Sequence, residues 1–546
     1  MKNYLIILFI ISIATLIYLS ANDFVLIGSD DSNIYFTYVK NFIESGEITY
    51  NADGERVEGY TSTLWFLIIS VIYFFTTNIE IILLFLNIFL ISFTSYYSIL
   101  IINELKKKKY FFNIYSIFFL LFIVFYPGFI EWNIISLLET GLWTCLISII
   151  FLNLLVDKNE KYNLFLIPLL VIARPESTLW ILVILLVTGF RSYKKNNQLL
   201  TAIKHISPYL AVFLLTLSAL IIFRYEYFGY LQANTYYAKV SKDLIHNFTQ
   251  GIKYNIRFLI SNLFQIILFI FLIKDLISII KEKMKNIETY KLILIIIILT
   301  AYFIPLVTSG DHFDLFRFFQ PYMILFFIYF ISITEIKTFL EKFKPFIIKK
   351  KILVFSTIPI VYSLLNIGNF YLLNASFQKG TSPIFQEMDI TRDQRNIGEA
   401  LNKIFTQQKP SIGVITAGGI AYKYEGEIID LLGLNNSKMA HADKYKYGIR
   451  GHASFHKATF YQLKPDLLFG WFEQDTTDIV AINKTENFRE HFFNKVLKGL
   501  YFDTEFENNY KAILIIDKKN NLFYNAFINI NSIVILDKNG LEYNFL

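Results

Sequence analysis

The chain has 546 residues, 55% of them hydrophobic and 18% aromatic, with a mean hydropathy of +0.46; a water-soluble globule cannot bury so much apolar surface, so lipid is expected to solvate most of it. The net charge of +7 does not point to nucleic acid, because the basic residues fall in short clusters between apolar runs and form no single stripe. The one cysteine, Cys145, lies in an apolar run, which leaves no disulfide to hold an exposed part together.

Taken in chain order, the first apolar run, Tyr4 to Ser20, follows Lys2 and ends in SANDF without a small-x-small cleavage site, so it reads as a retained span with a cytoplasmic N-terminus. A polar loop, 21–62, comes next. The segment from Ser62 to Thr76 is apolar but short and begins in that loop, which predicts an interfacial helix. Ten further runs near 79–103, 111–127, 137–156, 162–173, 177–190, 204–223, 256–274, 291–308, 321–334 and 352–371 can cross, some as short paired helices, giving about eleven spans. This arrangement puts KKKK at 106–109, Arg191, Lys194, Lys195, Lys204, the lysines of 274–291 and the run from Lys337 to Lys351 on one side, which the positive-inside rule makes cytoplasmic. An odd number of spans then places the tail beyond Leu373 outside. The heavy use of Ile, Lys, Asn, Phe and Tyr suits an AT-rich bacterial genome, so the expected location is a bacterial inner membrane.

The tail, 373–546, is polar, and SIGVITAG, EIIDLLGL, KPDLLFG and YKAILIID read as short buried strands between helices or turns. The KKNN and DKNG turns predict β-hairpins at its end. The expected fold is therefore a polytopic α-helical membrane protein, 1–372, carrying a C-terminal extracytoplasmic α/β domain.

The outward segments hold the ionisable residues that lie next to membrane, where such groups are costly and usually functional. In the first loop, Asp30 and Asp31 follow a span directly. Adjacent carboxylates raise at least one pKa by repulsion and desolvation, which suits a general base, while the structural alternative is an Asp pair capping the helix that starts near Ser32. Further along lie Glu139, at the outward end of a span, and ARPES with Arg174 and Glu176 at the tip of a helical pair. Arg174 suits an anion or an internal ion pair with Glu139 or Glu176. Arg224, Lys239 and Arg317 sit on the side where cations are disfavoured, which a phosphate at the outer face would explain. Asp311 and His312 form either a hydrogen-bonded pair or, with a first-loop Asp, a divalent-metal site. In the tail, TAGGI lacks the lysine of a phosphate loop. Asp430, His441, Arg450, His452, His456 and Lys457 line a groove for a glycan acceptor or dock the domain on the membrane part.

The segments DDSNIYFTYVKNF with ERVEGYTSTLW, SLLETGLW, ARPES, YFGYLQANTYYAK, GDHFDLFRFFQP and, in the tail, IDLLGLNN, MAHAD, GIRGHASFHK and LKPDLL give the chain a resemblance over nearly its whole length. It resembles the GT-C superfamily of polyprenyl-phosphate-sugar-dependent glycosyltransferases, most closely the mycobacterial terminal arabinofuranosyltransferases and their bacterial relatives. The resemblance implies an inverting transfer of a sugar from a polyprenyl-phosphate donor to a cell-envelope glycan, lipid-linked glycan or protein. It assigns the base to Asp30 or Asp31, and the donor phosphate to Arg317 and Lys239 ahead of Arg174 and Arg224. Glu58, Tyr60, Glu139, Glu176, Asn234, Tyr236, Asp311 and His312 would support these. Thr37 and Ala233 stand where such relatives commonly carry arginine and proline, and the first change removes one phosphate contact. Three rival functions are separable. A lipid-linked-glycan flippase would place paired charges at midplane depth in broken helices and show an internal repeat. A polysaccharide polymerase or ligase would normally lack both the Asp pair and the large tail, and a receptor-like anchor would have dispensable membrane charges.

Overall fold

The computed structural model describes residues 1–156, 159–281, 288–333, 382–469, 492–517 and 522–545. The expected span at 352–371 lies outside them.

The molecule is mostly helical (68%), with a small sheet near the C-terminus. Its helices are α1 (Lys2–Ser20), α2 (Asp30–Ser45), α3 (Thr63–Phe75), α4 (Ile79–Leu105), α5 (Ile114–Phe125), a π-helix (Glu131–Ile135), α6 (Thr140–Val156), α7 (Asn163–Ala173), α8 (Ser177–Asn196) and α9 (Leu199–Phe228). Then follow α10 (Asn234–Lys239), α11 (Leu244–Ile260), α12 (Leu263–Lys281), α13 (Thr289–Thr308) and α14 (Met323–Ile333). Five of them, α1, α4, α9, α12 and α13, are long and apolar enough to cross a membrane. In α9 the most apolar window is only 17% buried. An amphipathic helix of a soluble protein turns its apolar stripe inward; α9 instead presents Leu210, Leu214, Leu215 and Ile222 to the surroundings, as a multi-pass membrane helix does.

Apart from 352–371, the apolar runs expected to cross are helical, with one notable difference. The run at 256–274 is broken: α11 ends at Ile260, Asn262 accepts the backbone N–H of Phe264 at 3.0 Å, and α12 begins anew. Asn is a strong helix starter, and here it interrupts a run that hydropathy alone reads as continuous. The segment after Ser62 is a helix of 13 residues, α3, capped by Ser62 itself.

Beyond the helices lies α15 (Pro383–Ile404), with Pro383 in its first turn, where a missing N–H costs nothing. Strands β1 (Ile412–Val414), β2 (Ile428–Asp430), β3 (Leu467–Leu468), β4 (Tyr510–Asp517), β5 (Leu522–Asn529) and β6 (Glu542–Phe545) form one mixed sheet in the order β2-β1-β3-β5-β4-β6. The first three run parallel and the rest antiparallel. All four expected strands are present, and β4 and β5 pair antiparallel on either side of KKNN. The DKNG hairpin is not formed. Asn529 caps a 3-10 turn, the chain continues into a helix at Ile533–Lys538, and β6 returns to pair with β4. Local capping chemistry overrode the turn motif there.

Buried Ile412, Val414 and Ile428 of the sheet belong to the same continuous apolar cluster as Phe36 and Tyr38 of α2 and Trp132 of the π-helix. The polar contacts agree. Arg395 of α15 donates to Asn33 at 2.7 Å and to Glu80 at 2.8 Å while lying over the Tyr422 ring, and Ser382 donates to Glu131 at 2.6 Å. Asn51 exchanges two hydrogen bonds with the backbone of Ile428, at 2.8 and 2.9 Å, so its amide extends the free edge of β2.

Candidate active site

The site is assembled where the start of α2 meets the 309–319 loop and the C-terminal part. Ser29 caps α2, accepting from the N–H of Ser32, so Asp30 and Asp31 occupy its first turn and are not themselves the cap. Successive residues on a helix point about 100° apart, and the two carboxylates meet different partners.

Asp30 accepts backbone N–H bonds from Gly418 (3.0 and 3.1 Å) and Gly419 (2.9 Å), the turn that opens α16 (Gly419–Lys423). This is the TAGGI segment. Its paired glycines serve a carboxylate, and a Cβ on Gly418 would lie 1.9 Å from the carbonyl oxygen of Asp30, so only glycine permits the approach. Burial raises the Asp30 pKa to about 7; the N–H groups of Gly419 and Gly418 oppose this and the charge of Asp31 adds to it.

Asp31 turns the other way and takes the Arg317 guanidinium at 2.9 Å, while Arg317 also donates to Asp311 at 2.8 Å. The guanidinium lies over the rings of Phe313 (4.3 Å) and Trp132 (5.6 Å), and the Trp132 indole donates to the carbonyl of Asp314 at 3.1 Å. That places the π-helix directly beneath the cation, and such helices often mark functional sites. Burial acts to raise the pKa of Asp31, but the charges of Lys239 and Arg317 outweigh it and hold the carboxyl below its ordinary value. In Asp311 burial is likewise outweighed, by Arg317 first, and its pKa lies well below the usual range.

Lys239, at the end of α10, exerts its charge on Asp31, Asp311 and His452, yet among the described residues its ammonium makes no hydrogen bond or ion pair. His312 lies 3.3 Å from Asp311 through Nδ1 and packs edge-on against His452, ring centroids 4.4 Å apart. Burial first, then His312, pushes the pKa of His452 down to about 3, so it is neutral. Among the described residues no three His, Cys, Asp or Glu side chains are placed to hold a metal ion. Asp31 and Asp311, two of the residues that the metal alternative would use, are joined by the Arg317 guanidinium.

Other sequence candidates are consumed by internal pairs. Arg174 binds Glu139 (2.5 Å) and Glu176 (2.9 and 3.1 Å), the bundle-holding alternative raised from the sequence. Arg224 is bidentate to Glu58 through Nε and Nη2 at 2.7 and 3.0 Å, both residues buried, so part of its fork is committed to an internal ion pair. Tyr60 is buried and stacks on Phe66 at 4.8 Å, away from solvent.

The tail cluster divides. Asp430 is 1% exposed and accepts from the N–H groups of Leu432, Gly433 and Asn435, shaping the loop after β2. Asn234 donates to the carbonyls of Gly433 and Leu434 and thereby docks that loop on α10. His456 caps a short helix by accepting from Thr459, and Lys457 pairs with Asp503 at 3.1 Å, both remote from Asp30 in partnership. His441 packs on Tyr230 (4.4 Å) and Tyr237 (4.3 Å), while Tyr236 stays about half exposed. Arg450 reaches the carbonyl of Ser309 at 3.4 Å and covers the Tyr254 ring, and His452 meets His312. Arg450 and His452 are thus the two of the six that reach the loop carrying Asp311 and Arg317.

Two contributors went unseen in the sequence, Glu387 and Arg395, while the Gly418–Gly419 turn was visible only as a glycine pair without a phosphate-loop lysine. Nothing local marks SPIFQEMDI or TRDQRN as functional; their roles exist only once α15 lies across α2.

A buried, polar, multi-carboxylate centre set against helices apolar enough for membrane defines the class of protein to which comparisons can be applied. Residues 386–525 match a family model described as Domain of unknown function (DUF8728), beginning in the first turn of α15. No curated protein matches the chain.

Proposed function

We propose that this protein is a multi-pass membrane glycosyltransferase of GT-C type, with about eleven spans and an extracytoplasmic C-terminal domain, that moves a sugar from a polyprenyl-phosphate donor to a cell-envelope acceptor. The observation that carries the reading is the division of labour within the Asp pair. Asp31 is ionised and fixed on Arg317, whereas Asp30 has no cationic partner among the described residues and titrates near neutrality, as a general base must.

In the proposed reaction, Asp30 takes the proton of an acceptor hydroxyl as its oxygen forms a bond to the anomeric carbon. The bond from that carbon to phosphate breaks, and the polyprenyl phosphate leaves with the electron pair. A single displacement inverts the anomeric centre. Lys239 supplies the uncommitted positive charge for the departing phosphate, and Arg317, held by two carboxylates, orients the first turn of α2. Incubation of the purified protein in lipid with a panel of polyprenyl-phosphate sugars and bacterial envelope glycans should release polyprenyl phosphate from one donor. Release from none of them would count against the reading.

A further inference from the structure

We infer that Glu387, delivered by the C-terminal part, is the proton-relay partner of Asp30. This rests on the glycosyltransferase reading for its chemistry, though not for its geometry.

Three contacts fix the first half of α15 over the site. Five residues before Glu387, Ser382 donates to Glu131 of the π-helix at 2.6 Å; one residue after it, the Met388 sulfur accepts from Asn22 of the α1–α2 loop at 3.8 Å. One turn further, the carbonyl oxygen of Thr391 lies 2.5 Å from where a Cβ on Gly419 would stand, and Gly419 is the residue whose N–H holds Asp30. Residues four apart share a helix face, so Glu387 lies on the face of α15 that meets the Asp30 clamp. Among the described residues its carboxylate makes no hydrogen bond and no ion pair. The charges acting on it are those of Asp30, Asp31, Arg317 and Asp311.

A carboxylate in that company is repelled by Asp30, Asp31 and Asp311 and attracted by Arg317. The charge balance supplies a role. Arg317 and Lys239 together balance Asp31 and Asp311, so among the described residues Asp30 and Glu387 are the carboxyls left without a cation of their own, and His452 is neutral. One proton shared by the two carboxyls halves the excess negative charge they would otherwise carry. Consistent with this, burial first and then the charges of Asp30 and Asp31 push the pKa of Glu387 up to about 8. When Asp30 accepts the acceptor's proton, Glu387, which is only partly buried, passes it on toward water and returns Asp30 to its basic form.

The test compares wild type, Glu387→Gln and Glu387→Asp as full-length protein in lipid nanodiscs. With the donor found in the panel, Glu387→Gln should lose about a hundredfold in turnover with donor KM unchanged. Its pH profile should lose the inflection near pH 8 at which Glu387 gives up its proton, and Glu387→Asp should recover part of the rate. Wild-type turnover and pH profile in Glu387→Gln would overturn the inference, and so would a rate loss that leaves the inflection near pH 8 in place, which marks a structural role. A second arm needs no substrate: in pH-induced infrared difference spectra, the carboxyl band lost in Glu387→Gln should titrate at lower pH in Asp30→Asn than in wild type, because the charge of Asp30 that raises it has gone. An unmoved band overturns the pairing. A moved band with no donor turned over upholds the pairing and instead counts against the glycosyltransferase reading.

Discussion

Replacement of Gly418 by alanine tests whether the C-terminal part holds Asp30. The backbone there (φ −93°) accepts an L-residue, so the perturbation is purely steric: the new Cβ would stand 1.9 Å from the Asp30 carbonyl oxygen and 2.6 Å from Oδ1. Since the nearest obstacle is backbone, the turn must withdraw and release its N–H bonds. Two hydrogen bonds to a charged carboxylate are each worth about 1.5–3 kcal/mol, less when the carboxyl is protonated, so the loss near pH 7 should be about 2–4 kcal/mol. Hydrogen exchange in peptides covering 416–424 should then quicken by about 30- to 700-fold, at about 1.4 kcal/mol per decade. The effect has a pH sign. The docked pKa of Asp30, about 7, lies above its ordinary value of 3.8, so the docked state retains a proton that an undocked Asp30 gives up. That contribution to docking is full below pH 3.8, declines as pH rises and is gone once pH passes about 7. Wild-type exchange should accordingly be slower at pH 5 than at pH 8 after correction for intrinsic rates. Gly189→Ala, whose Cβ meets only Ile206 at ordinary contact distance, serves as the control. Wild-type exchange rates in Gly418→Ala would refute the clamp.

Asp30→Asn keeps an oxygen for the Gly418 and Gly419 N–H groups, so exchange in 416–424 should remain near wild type while turnover, measured as polyprenyl phosphate released, falls by about 10²–10⁴. Lys239→Ala, which breaks no ion pair, should leave thermal stability unchanged and weaken donor binding about tenfold to a hundredfold, as read by titration with the polyprenyl-phosphate sugar. Arg317→Ala should instead destabilise the protein by about 3–5 kcal/mol, since Asp31 and Asp311 are left without their cation; an unchanged melting temperature would contradict the shared ion pair. Ala52→Cys and Asn508→Cys, both at exposed positions, should label together with a membrane-impermeant thiol reagent on intact cells. Labelling of one alone would break the proposed topology.

The helices were legible where hydropathy and capping residues agree, as at Ser62 and α3. The reading missed the break at Ser261–Asn262 because a polar dipeptide inside an apolar run changes a window average little while supplying a helix start. Asp30, Asp31, Lys239 and Arg317 could be singled out because charge next to an apolar run is locally visible. Which cations were already satisfied could not, because Arg224 and Glu58 are 166 residues apart and meet only in the fold. Glu387 carried no signal at all: its significance comes from neighbours in α2 and the 309–319 loop. The TAGGI turn was noticed and judged by the wrong ligand, since two glycines that cannot cradle a phosphate still suffice for one carboxylate.

The reach of the Asp30 clamp also governs how the protein is made. Its partners lie 388 and 389 residues further along the chain, so at about 5–20 residues per second a ribosome needs on the order of 20–80 s to supply them. Throughout that interval the first loop has emerged with Asp30 uncovered and Asn51 without the strand edge it later completes. Premature termination anywhere before Gly418 yields a chain whose helices can assemble but whose first loop has nothing to close on, a defect that chaperones and proteases can recognise. The same contacts that build the site thus report that synthesis has passed Gly419.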